Sequence, residues 1–220
     1  MLLDEKESVF VIAGPVGQLE LAWNRADPVS AFSRLGVCPV VIICHPHPVH
    51  GGTMDNKVVT TLMRTYRDLG IHAVRFNFRG VGQSEGEFDH ANGELDDLMC
   101  VASWVKEQLR PSALLLAGFS FGSSIAARAS YLLGPIAHLT LVAPPIERYN
   151  YDRDRCFESP ISVIQGDKDE RVIAEGVYRW VTELTSTVEL IRYPEAGHFF
   201  HGYLTALKQD LSAVLGRQLA

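Results

Sequence analysis

The sequence predicts an α/β fold, with a mostly parallel central sheet, helices on both faces and an antiparallel hairpin at the N-terminal end. Three observations carry the prediction. Short apolar, β-branched runs alternate with longer segments whose apolar residues recur at helical spacing. The central runs Pro39–Cys44 and Ala113–Gly118 are continuously apolar, as in strands covered on both faces. Glycine and proline stand at the seams between the two kinds of segment.

Taken in order, Ser8–Ala13 and Gln18–Trp23 form the hairpin around Gly14-Pro15-Val16-Gly17. Strand Pro39–Cys44 follows. Residues Asn56–Leu69 carry apolar side chains at 58, 59, 62, 63, 66 and 69, one face of a helix that Gly70 stops. Strand Ile71–Phe78 leads into a polar, glycine-rich loop from Arg79 to about Asn92, and helix Glu94–Leu109 ends before Pro111. Then come strand Ala113–Gly118, helix Phe121–Leu133 stopped by Gly134-Pro135, and strand His138–Val142. Strand Ile161–Gln165, helix Val172–Leu184, strand Thr187–Arg192 and helix Tyr203–Leu215 complete the pattern. No repeat, linker or low-complexity tract interrupts it, so residues 1–220 are expected to form one domain.

Composition narrows the function. Hydrophobic residues make up 47% and charged residues 21%, which is ordinary globular usage and excludes a disordered chain. The net charge is −6 and the basic residues form no run, which argues against nucleic acid or an anionic membrane as partner. The start, Met1 to Glu7, turns charged at once, unlike a signal peptide, and the longest apolar runs are too short to span a bilayer. Cys38, Cys44, Cys100 and Cys156 lack metal-site spacing and are expected to be reduced thiols in the cytoplasm.

Gly118-Phe119-Ser120-Phe121-Gly122 fits the pattern G-x-S-x-G, but so does Gly82-Gln83-Ser84-Glu85-Gly86. Context separates them. An apolar strand runs straight into Ser120 and a helix leaves straight after it, whereas Ser84 lies in a polar loop. A nucleophile on a strand-to-helix turn needs glycine two residues to either side, because Cβ atoms there would clash. Ser120 is therefore the expected nucleophile and Ser84 a residue of a glycine-rich turn.

A serine hydroxyl needs a base, and the base needs an orienting acid. Open α/β sheets build their sites on loops at the C-terminal ends of strands, and two such loops carry suitable groups. Gly166-Asp167-Lys168-Asp169 follows one strand, and Glu195-Ala196-Gly197-His198 follows the next. Both segments resemble the α/β-hydrolases, where a G-x-x-D turn supplies the acid and a G-H pair the base. The resemblance implies Asp169 as the acid and His198 as the base. Asp167 is the alternative acid, with Asp169 then capping the helix at Val172. Asp152 and Asp154, after the preceding strand, are a further alternative. His201 stands at the start of the last helix, where an exposed capping role is expected.

His45-Pro46-His47-Pro48-Val49-His50 approaches a metal-binding H-x-H-x-D-H pattern. Val49 replaces the aspartate, and no second cluster of ligands follows, so no metal is expected. In the α/β-hydrolases this loop donates one backbone N–H to an oxyanion hole, and the residue after the nucleophile donates the other. The resemblance puts those roles on His47 and Phe121. Pro46 and Pro48 have no N–H, which leaves His47 as the donor among the three. The stretch Asn77-Phe78-Arg79-Gly80-Val81-Gly82-Gln83-Ser84 resembles the superfamily's D-x-R-G-x-G-x-S loop, with Asn77 in the aspartate's place.

Only 18 residues separate Val142 from Ile161, with prolines at both ends and charged residues between. That is too short for the helical lid of many lipases. The resemblance is therefore to small, lidless members; dienelactone hydrolases share that form but use cysteine where this chain has serine. The implied activity is hydrolysis of small carboxylic esters, without a cofactor, with thioesterase, peptidase or a non-catalytic binding module as alternatives.

Overall fold

The computed structural model describes residues 5–28, 30, 38–151 and 154–219. Eight strands form one sheet in the order β1-β2-β4-β3-β5-β6-β7-β8. They are β1 (Glu7–Gly14), β2 (Gly17–Asn24), β3 (Pro39–Cys44), β4 (His72–Phe76), β5 (Ala113–Phe119), β6 (His138–Val142), β7 (Ile161–Gly166) and β8 (Val188–Tyr193). The hairpin β1–β2 is antiparallel, in register from Glu7 opposite Asn24 to Gly14 opposite Gly17, and β2 runs antiparallel to β4. All pairs from β4 to β8 are parallel.

The helices are α1 (Lys57–Leu69), α2 (Gly93–Leu109), α3 (Phe121–Ser130), α4 (Ala174–Glu183) and α5 (Leu204–Gln218). A 3-10 turn at Pro48–His50 was not expected from the sequence; Pro48 stands in its first turn, where a missing N–H costs nothing. The third helix is shorter than the predicted Phe121–Leu133, because turns take over after Ser130 ahead of Gly134.

Side-chain alternation along β3 splits the core into two layers. Val40, Ile42 and Cys44 face α2, α3 and α4, against Leu98, Val101, Ile125 and Val177. Val41 and Ile43 face α1 and α5, against Val58, Leu62, Tyr66, Leu207 and Leu211. Both faces of β3 are closed to solvent, which explains its unbroken apolar sequence. Each such side chain contributes about 1.5–3 kcal/mol by leaving water.

Polar ties fasten the loops at the C-terminal edge of the sheet. Arg79 and Asp97 form a buried pair, with the Asp97 side chain fully closed off from solvent. The Arg79 side chain donates through Nε and Nη2, and its backbone N–H donates at 2.9 Å to the same carboxylate. Ser84 belongs to this scaffold. Its hydroxyl donates to the Asn77 carbonyl at 2.6 Å and accepts the Glu20 N–H at 2.9 Å, so it is held as a turn residue. Glu20 accepts from the Asn77 side chain and from Gln83. Burial raises the Glu20 carboxyl pKa, but these hydrogen bonds outweigh burial and hold it below the usual range. Among the described residues no helix is long and apolar enough to cross a membrane.

The strand order places β4 on one side of β3 and β5 on the other, so the chain changes direction between β3 and β5. Loops leaving those two strands diverge and leave a crevice at their C-terminal ends. The Arg79–Asp97 pair braces one wall of it. Asp97→Ala would strand the guanidinium, and chemical denaturation should show a loss of about 3–5 kcal/mol, with the spectroscopic signature of the fold retained.

Candidate active site

Ser120 stands between β5 and α3 with φ 53° and ψ −122°. This left-handed strain is held by close backbone approach: the Ser120 N–H donates to the Val142 carbonyl at 2.8 Å, and Ser123 N–H donates back to Ser120 O at 2.9 Å. A Cβ on Gly118 would lie 2.3 Å from the Gly122 carbonyl oxygen, and one on Gly122 would lie 2.4 Å from that of His45. Glycine is the residue that fits both positions, and the turn leaves the Ser120 side chain half-buried at the crevice.

The structure brings Ser120, His198 and Asp169 into one line. His198 Nε2 lies 3.0 Å from Ser120 Oγ, and His198 Nδ1 lies 2.8 Å from Asp169 Oδ2. The His198 and Asp169 side chains are 3% and 0% exposed, so the pair is shielded from water. Packing fixes the imidazole: Phe119 lies 5.0 Å from it and Phe199 stands edge-on at 5.2 Å. Asp169 also accepts from Arg171 N–H and Val172 N–H, both at 2.8 Å to Oδ1, and from Gln165 Nε2 at 3.1 Å to Oδ2. Burial raises its pKa, while the hydrogen bonds from His198, Arg171 and Val172 outweigh burial and hold the carboxyl below its usual range.

Asp167 is turned away. Its carboxylate accepts from the Tyr178 hydroxyl and from Arg192 at 2.9 Å, tying β8 and α4 to the loop. The two readings of Asp169, acid or cap, are not exclusive, since one oxygen faces His198 and the other holds the turn ahead of α4. Asp154 is exposed in a turn, and Asp152 lies outside the described residues. His201 does not cap the last helix. Positive φ at Phe200 and Gly202 inserts a turn, and the N-cap falls on Tyr203.

His45 and His47, two residues apart, differ completely. His45 is buried, with Nε2 accepting the Phe78 N–H at 3.0 Å and Nδ1 facing the Pro46 carbonyl at 2.6 Å. Both nitrogens are thus committed, the proton resides on Nδ1, and burial pushes the pKa down to about 4. A metal would have to break these bonds. His47 is half-buried, its ring 4.9 Å from that of Phe121. The backbone N–H groups of His47 and Phe121 have no acceptor among the described residues.

Two neighbours of this arrangement escape a reading of the sequence alone. Glu170 accepts the His198 N–H at 3.1 Å, and Gln165 orients Asp169. Nothing in the local sequence marks either: Glu170 acts across a gap between two loops, and Gln165 reaches Asp169 only through the fold of the turn after β7.

No protein-family model matches the chain. Solved structures are similar over nearly its whole length. A serine hydrolase of the α/β type without a lid, from Xanthomonas campestris, is 42% identical with a TM-score of 0.89, covering 99% of this chain and 97% of that one. An α/β serine hydrolase homologue from Coxiella burnetii is 43% identical with a TM-score of 0.88, covering 94% and 97%. An uncharacterized protein of Rickettsia prowazekii is 34% identical over 197 residues, 85% of this chain and 79% of that protein.

Because the native carboxyl of Asp169 holds its proton less tightly than in the unfolded chain, its contribution to stability is present above an unfolded pKa of about 3.9 and lost as pH falls through the lower folded value. Urea midpoints should therefore separate wild type from Asp169→Asn at pH 7 and converge toward pH 2. A separation that stays constant across that range would contradict this account of the carboxylate.

Proposed function

The chain belongs to the α/β serine hydrolases, in the form without a lid, and on that premise we propose that it cleaves small carboxylic esters through an acyl-enzyme on Ser120. The observation that carries the reading is the pair of hydrogen bonds linking Ser120 Oγ to His198 Nε2 and His198 Nδ1 to Asp169.

In this mechanism Ser120 Oγ attacks the ester carbonyl while His198 Nε2 takes its proton. Asp169 keeps the Nδ1 proton in place and stabilises the imidazolium that forms. The developing oxyanion is received by the Phe121 and His47 N–H groups, with the N-terminus of α3 adding favourable potential. The imidazolium gives its proton to the departing alkoxide, which leaves as the alcohol. Water, deprotonated by His198, then adds to the acyl carbon, and collapse returns the carboxylic acid and free Ser120. The crevice opens to solvent, because the connection from β6 to β7 carries no helix among its described residues. That favours short or polar acyl groups over long chains. Thioesters would be served by the same groups.

A fluorophosphonate probe should label the folded protein once, on Ser120, and Ser120→Ala should abolish labelling. Adduct on Ser84, or none, defeats the reading. p-Nitrophenyl butyrate should be cleaved with a higher kcat/KM than the palmitate, without activation at lipid interfaces; the opposite preference would point to a covered site.

Asparagine at the acid should lower kcat by up to about 10⁴, since it orients the wrong tautomer of the base. Asp169→Asn is expected to be the impaired variant, and Asp167→Asn to keep its rate while losing about 1 kcal/mol of stability with the Tyr178 and Arg192 contacts. Steady-state kinetics beside denaturation curves separates the two effects, and the reverse pattern would move the acid to Asp167.

A further inference from the structure

Three imidazoles and one guanidinium from separate loops lie around Phe121, the residue after Ser120. The His47 ring touches the rings of Phe121 and Phe88, both at 4.9 Å, and of His50 at 4.6 Å. Phe88 in turn meets His90 at 5.1 Å. From the opposite side Tyr149 reaches Phe121 at 5.6 Å, and the residue before it, Arg148, is exposed. The Arg148 guanidinium donates to the Arg171 carbonyl at 3.2 Å and has no carboxylate partner among the described residues. Burial lowers the His47 pKa, and His50, Arg148 and His90 push the same way, so these groups lie close enough to act on one another.

Several nearby carboxylates are held by backbone N–H groups: Glu170 accepts from His198, Glu94 from Asp89 and Ala91, and Asp89 from Gly93. Arg148 is thus a cation without a carboxylate partner among the described residues, in a chain of net charge −6, and neutral imidazoles beside it can donate N–H groups.

Resting on the serine hydrolase reading above, we propose that Arg148, with His47, His50 and His90, forms an anion subsite, and that the substrates are esters bearing a free carboxylate besides the scissile bond. Hydrolysis of such a half-ester consumes one water, breaks the acyl C–O bond and releases an alcohol and a carboxylic acid, one of which carries the second carboxylate. The Arg148 charge beside the site raises the local concentration of an oppositely charged substrate, and the imidazole N–H groups can hold its carboxylate.

Two matched pairs of substrates test this and show which part of the ester carries the charge. Mono-p-nitrophenyl glutarate against p-nitrophenyl valerate places it on the acyl chain; 4-acetoxybenzoate against phenyl acetate places it on the leaving group. In at least one pair kcat/KM should favour the charged member by about tenfold at low salt. The preference should shrink as added salt shortens the reach of the field. Arg148→Gln should reduce the charged-to-neutral ratio by about three- to fivefold, and His50→Gln should reduce it in the same direction. Equal or lower rates for the charged member in both pairs, or a ratio untouched by both variants, overturn the subsite while the hydrolase reading stands. Folded protein that cleaves none of the four esters overturns both.

Discussion

The close approach of backbone between Gly118 and Gly122 is the constraint on which the crevice depends. Strand β5 ends and helix α3 begins within a single residue, Ser120, held at positive φ. The turn closes because the Cβ positions of Gly118 and Gly122 would coincide with carbonyl oxygens at 2.3 and 2.4 Å. With those side chains absent, α3 packs down against the end of β3. The Ser120 amide meets the Val142 carbonyl of β6 at 2.8 Å, so three adjacent strands are locked at the point where the hydroxyl emerges. Strain of this kind costs on the order of 1–3 kcal/mol and persists only where surrounding structure over-determines it. Here the sheet supplies that surrounding structure.

Around this point, buried polar groups give each loop one conformation. His45 spends both ring nitrogens on backbone, one on its own loop and one on the segment after β4. Ser84, Glu20 and Asn77 join the hairpin to that same segment, and Arg79 joins it to α2 through Asp97. Such groups are costly unless fully satisfied, so a loop that moved would leave them unpaired. The loop that carries His47 is therefore fixed by buried polar neighbours on either side of it.

Electrostatics divides the crevice into two regions. Behind His198, the shielded Asp169 carboxylate concentrates negative charge against one imidazole edge. On the other side of Phe121 lie Arg148 and the imidazoles of His47, His50 and His90. In the proposed reading an ester would sit between the two regions.

Much of this was legible in the residues alone. Helical spacing in Asn56–Leu69, the unbroken apolar run of β3 and the glycines flanking Ser120 are consequences of local geometry, which a sequence records directly. The order of Ser120, Asp169 and His198 after the ends of three strands was legible in the loop motifs. Which aspartate meets His198 was given by the resemblance, not by the residues themselves. Asp167 and Asp169 share one turn and one chemistry; they part because Arg192 on β8 and Tyr178 on α4 claim the first, while His198, from the next loop, meets the second. The same holds for His45 against His47, and for the grouping of Arg148 with distant histidines. Contacts between segments far apart in the chain are set by how the strands order and the helices pack, and that information exists only once the chain has folded.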